Sequence, residues 1–156
     1  MKIKAGYNKL ESLLISIGTK LQCFLLLAIR LFWGWQFFLT GKGKLMHLDR
    51  TAGFFESLNI PLPKVNAILA GTTEVAGGLL LLLGLGSRIV SVPLMFVMVI
   101  AYATADQEAV QAIFSDPDKF TSASPFLFLL AALIIFCFGP GKLSLDALLK
   151  RNGTAK

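Results

Sequence analysis

The chain has 156 residues, of which 55% are hydrophobic and only 15% charged, against about 25% charged in an ordinary soluble domain. A soluble protein of this size has too much surface to dress with 24 charged side chains while hiding so many Leu, Phe and Ile. The mean hydropathy of +0.71 and the grouping of apolar residues in long blocks exclude a water-soluble enzyme, a disordered chain and a disulfide-stapled secreted domain; what remains is an integral membrane protein with room for about four spans of roughly 20 residues.

In chain order, Leu10, Leu13, Leu14 and Ile17 make an apolar stripe in the first twenty residues, as expected of an interfacial helix. The first apolar block is 21–40, bracketed by Lys20 and Lys42, and it is too long for a signal-peptide core. The loop that follows carries Phe54, Phe55 and Leu58 at helical spacing, which predicts a short amphipathic helix in the membrane interface. Pro61 and Pro63 end it, and the second block is 65–85. A turn of five residues, GLGSR, makes the next block, 89–105, its antiparallel neighbour. An acidic loop containing Asp106, Glu108, Asp116 and Asp118 leads to the fourth block, 120–138, which Gly139-Pro140-Gly141 closes. Only helices and closed barrels satisfy backbone groups in hydrocarbon, and the blocks lack the alternation of barrel strands. The expected fold is a single-domain, all-α membrane four-helix bundle.

The net charge of +6 does not point to nucleic acid, because no soluble basic run is interleaved with stacking aromatics. It reads instead as lysine and arginine collected on the cytoplasmic face of a lipid bilayer. With the N-terminus inside, that face holds nine basic residues: Lys2, Lys4, Lys9, Lys20, Arg88, Lys142, Lys150, Arg151 and Lys156. The outer face holds five: Lys42, Lys44, Arg50, Lys64 and Lys119. Both termini are therefore expected in the cytoplasm, in a multi-pass protein of a bacterial inner membrane.

Two charges lie inside the blocks. Arg30 is tenth in a twenty-residue span and Glu74 tenth in a span of twenty-one. Antiparallel helices with those centres put both at midplane, where a lone charge costs at least about 2.5–3.5 kcal/mol, so each is expected to be the other's partner. The pair either fixes helix register or lines a ligand or proton site. Trp33 and Phe37 share the face of Arg30, Gly71, Gly77 and Gly78 surround Glu74, and Tyr102 is near the outer end of the third span. The candidate site is an outer-half cavity lined by Arg30, Trp33, Phe37, Glu74 and Tyr102. Packing alone is the other reading of the aromatics and glycines. His47 is read as a solvated loop residue, and Met95 and Met98 as packing rather than thioether ligands. No metal site is expected. Cys23 and Cys137 both fall near the inner face and read as free thiols.

RLFWGWQFFLTGKGKL, FFESLNIPLP, AGTTEVAGGLLLLLGLGSR and FGPGKLSLD occur in this order between Ile29 and Leu149. In order and spacing the chain resembles the DoxX family of small four-helix membrane proteins. That family takes its name from a membrane subunit of a thiosulfate:quinone oxidoreductase. The resemblance thus implies quinone contact, partner subunits in or beside the membrane, and functional weight on Arg30 and Glu74. No residue set for an intrinsic haem, flavin or iron–sulfur cofactor accompanies it. Two functions follow: a membrane subunit of a quinone-linked oxidoreductase with a quinone pocket at the Arg–Glu pair, or a non-enzymatic accessory protein that stabilises or matures a partner complex, the pair then being architectural. A homo-oligomer is compatible with both.

Overall fold

The computed structural model describes residues 2–153, with side chains for 7–151. Of the lysines assigned to the cytoplasmic face, Lys156 lies outside the described residues, and Lys2 and Lys4 outside the described side chains. Among the described residues there are eight helices and no strand: α1 Lys2–Met46, α2 Leu48–Ser57, α3 Pro63–Leu83, α4 Ser87–Thr104, α5 Gln107–Gln111, α6 Pro117–Ser122, α7 Pro125–Phe138 and α8 Leu145–Gly153. α1, α3 and α4 are long and apolar enough to cross a membrane. α7 has only 14 residues, yet it runs antiparallel to α4 along most of its length. Its start lies beside Tyr102, whose ring meets Phe120, itself in contact with Phe126, and its end beside Arg88, which bonds the Cys137 carbonyl. The four helices close a ring in the order α1, α3, α4, α7.

Each boundary has a local cause. Pro63 opens α3 where a missing N–H costs nothing, and Gly84, in the left-handed region at φ +70°, ends it. The fourth block breaks at Ala123, whose backbone is extended, and Pro125, which has no N–H to give to the preceding turn, opens a new helix, so the expected span 120–138 becomes α6 and α7. In the acidic loop between α4 and α7, Lys119 donates to Glu108 at 2.8 Å. The hydrogen bond, then the charge, holds Glu108 below the usual carboxylate range and pushes Lys119 above its own.

Two expectations about the first helix are corrected. The N-terminal stripe is not a separate interfacial helix: it continues without a break into the span, as one helix of 45 residues and about 68 Å. At its other end, Gly41-Lys42-Gly43-Lys44 is not a loop. α1 passes through it to Met46, and Gly41, with Gly34 before it, forms the seam with α3. A Cβ on Gly41 would come within 2.7 Å of the Gly71 carbonyl oxygen, and one on Gly78 within 2.6 Å of the Gly34 carbonyl oxygen. In lipid, where apolar burial drives little association, such close backbone approach is what holds helices together. The bundle interior is completed by Phe37, Leu81, Leu94, Met98, Ala132 and Ile135.

Both described ends of the chain leave the bundle at one end, here the termini end. There Gly141 lies against Leu26 and the Cys23 carbonyl, and the α3–α4 turn meets the first turn of α8.

Candidate functional site

Two polar centres lie within the apolar bundle, one at its termini end and one in its far half. The first is built on Arg30, 3% exposed. Its Nη1 donates to the Pro140 carbonyl at 2.8 Å and its Nη2 to the Leu143 carbonyl at 2.7 Å. The guanidinium lies over Gly84, where a Cβ would sit 2.5 Å from Nη1 and where φ of +70° already favours glycine. Asp146 completes the junction. Its carboxylate accepts from Gly86 N at 2.8 Å and Ser87 N at 3.2 Å, capping α4 from a distant part of the chain. Ser144 Oγ accepts from Ala147 N and so caps α8. Two buried polar atoms of this junction, Arg30 Nε and Ser87 Oγ, have no hydrogen-bond partner.

The second centre is Glu74, which has no exposed surface. Both its carboxylate oxygens accept from Lys44 Nζ, at 2.7 and 2.6 Å. The Lys44 side chain is 29% exposed, so the pair joins a fully buried carboxylate to a side chain that reaches the surface of the bundle.

The expected Arg30–Glu74 pair is therefore corrected: the structure does not bring the two together. α1 and α3 pack with Gly34 against Gly78 and Gly41 against Gly71. In this register Arg30 faces Gly84, and Glu74 lies ten residues, about 15 Å of helix rise, away. Equal rank within two apolar blocks does not mean equal depth, because α1 packs on α3 with residues further along its sequence than the centre of the block 21–40.

The aromatic candidates are also engaged. Trp33 and Phe37 both pack edge-on against Phe128 of α7, at 4.9 and 4.8 Å between ring centres. Tyr102 stacks on Phe120 at 4.9 Å and donates its hydroxyl to the Phe120 carbonyl at 2.9 Å. The structure does not gather these rings with Arg30 and Glu74 around one outer-half cavity. His47 is exposed in the turn between α1 and α2, and Met95 and Met98 pack in the core. Cys23 and Cys137 are free thiols. Among the described residues no group of three His, Cys, Asp or Glu could hold a metal ion.

A concavity lies elsewhere, at the termini end. It is a cleft of about 530 Å³ between the α1 face at 19–26, the start of α4 and the segment 138–150. Leu26, Ile89 and Phe138 give it an apolar side; Arg88, Lys142 and Asp146 give it a charged one.

Lys44, Asp146 and Ser144 are the polar residues that the sequence did not single out. A signal for Lys44 exists: Gly34 and Gly41 are seven apart, as are Gly71 and Gly78. Aligning the two pairs antiparallel sets the register and carries Glu74 toward Lys44.

The family model described as DoxX matches residues 25–107. An uncharacterized membrane protein of Mycobacterium tuberculosis is 33% identical over 141 residues, a stretch that covers 83% of each chain. No solved structure matches.

Proposed function

The chain belongs to the DoxX family, and from that premise we propose that it is a non-enzymatic membrane subunit that holds or stabilises a partner complex of an oxidoreductase system. Its setting is a bacterial inner membrane, with both termini in the cytoplasm. One observation carries this reading: the charged groups inside the bundle and the Tyr102 hydroxyl each bond a group of the chain itself. Arg30 fastens the C-terminal segment, Glu74 holds Lys44, and Tyr102 ties α4 to α6. Charged groups tied to the chain in this way build a rigid scaffold and leave recognition to the lipid- and loop-facing surfaces. Native mass spectrometry of the mildly solubilised protein tests it. The expected result is a stoichiometric protein partner and no retained quinone.

A quinone site is the second reading, and the partial exposure of Lys44 favours it. Here Lys44, with Glu74, takes the part first given to Arg30. The ammonium would donate to a quinone carbonyl, and the carboxylate would accept from the quinol hydroxyl. Trp33, Phe37 and Tyr102 then act only as packing against α7 and α6. Retained quinone, or a rise in melting temperature on adding a short-chain menaquinone analogue, would favour this reading over the first. Ligand at 100 times its dissociation constant adds about 2.7 kcal/mol.

A further inference from the structure

We infer that the cleft at the termini end is a seat for the phosphate of an anionic phospholipid in the adjoining leaflet. Three independent features converge there. The cleft, about 530 Å³, falls in the size range of small-molecule sites. Its rim carries the basic side chains Arg88, Lys142 and Lys150. Its one carboxylate, Asp146, is already committed to Gly86 N and Ser87 N, where the positive end of the α4 dipole offsets its charge. The cleft therefore presents net positive charge to an incoming group.

Depth is the second feature. α8 is amphipathic, with Leu148 and Leu149 exposed beside Lys150 and Arg151, the pattern of a helix lying in the interface plane. It continues directly from the segment that lines the cleft, which places the basic rim at headgroup level. The third feature is the apolar flank. Ile89 and Phe138, both cleft-lining, are 79% and 62% exposed, and they lead from the rim down the outside of α4 and α7. A phosphate at the rim leaves its acyl chains lying on these two side chains. Basic pockets between helices on the cytoplasmic side are a recurrent lipid-headgroup geometry. A soluble phosphodiester shares the headgroup chemistry but makes no use of the apolar flank.

The test uses the full chain in detergent, with native mass spectrometry as readout and phosphatidylglycerol and phosphatidylcholine as probes. Phosphatidylglycerol should be retained in preference to phosphatidylcholine. Lys142→Gln should weaken that retention about fivefold and Arg88→Gln with Lys142→Gln about 25-fold, at roughly 1 kcal/mol per basic residue near a headgroup. Lys42→Gln with Arg50→Gln, which removes the same charge at the far end, should leave retention unchanged. Arg88→Lys keeps the charge and should retain lipid, so its failure to do so would mark the Arg88 effect as loss of fold and leave Lys142→Gln to decide. Equal retention of both lipids overturns the inference, as does equal loss in the cleft and far-end variants. So does a thermal shift with glycerophosphoglycerol alone that matches the shift with phosphatidylglycerol.

Discussion

When one member of a buried ion pair is removed, the charge left behind determines the cost. Lys44 and Glu74 are unequal in this respect. Glu74 is fully buried, so Lys44→Met strands its carboxylate or forces it to take up a proton. Lys44 is partly exposed, so in Glu74→Gln its flexible stem can carry the ammonium toward the surface. Lys44→Met should therefore destabilise the bundle by about 3 kcal/mol and Glu74→Gln by distinctly less, read as melting temperature in detergent. Lys44→Met with Glu74→Leu should recover most of the loss. If that double variant restores abundance and also sustains the partner complex, the pair is architectural; abundance without function points to the quinone reading. Arg30 gives a second contrast. Lysine keeps its charge but cannot span two carbonyls as the guanidinium does. Arg30→Lys should cost roughly 2 kcal/mol, with faster hydrogen exchange over 139–147 and none of the change at α2. Both residues were visible in the sequence as charges in apolar blocks, but their partners were not. The partners of Arg30 are backbone carbonyls, which carry no side-chain signature, and Lys44 lies in a Gly/Lys run with the composition of a membrane exit.

At the scale of elements, the α1–α3 seam decides where every other group falls. It is made of backbone rather than side chains, so added methyl groups meet atoms that cannot rotate away. Gly41→Ala would press on the Gly71 carbonyl and Gly78→Ala on the Gly34 carbonyl, each costing about 1–3 kcal/mol. Gly43, two residues along the same helix, has nothing within 4 Å of a Cβ, and alanine there should stabilise by about 0.5–1 kcal/mol. Melting temperatures of the three variants check the seam. If Gly41→Ala is neutral, the close approach is wrong. The elements themselves were largely legible: α3 and α4 begin and end within two residues of the blocks 65–85 and 89–105, because proline or glycine marks three of those four ends and the acidic loop the fourth. α1 was not, since its exit carries two lysines, one of which is drawn inward by a carboxylate on another helix. Only a tertiary contact makes that helix continue, and hydropathy along one chain does not contain it.

For the whole molecule, the structure fixes which groups share an end but not which side of the membrane that end faces; charge decides the latter. The described N-terminal extension, Arg30, the α3–α4 turn and α8 all belong to the termini end, so Arg30 joins the basic residues already assigned there. At the far end, the engagement of Lys44 with Glu74 takes one cation out of the outer count, and Asp106, Glu108, Asp116 and Asp118 lie in the loop beyond α4. Both changes widen the asymmetry that sets orientation, because basic residues near span ends are retained on the cytoplasmic side. Alkaline phosphatase, which is active only after export, should be inactive when fused after Arg151 and active when fused after Ser115. A cytoplasmic reporter such as green fluorescent protein should give the reverse pattern. An even number of crossings is built into this expectation, since the 14-residue α7 must return the chain to the side on which α1 began. An active phosphatase after Arg151 together with an active one after Ser115 would put α8 on the far side, against its bonds to Gly86 and Ser87 at the termini end, and would overturn the four-span bundle.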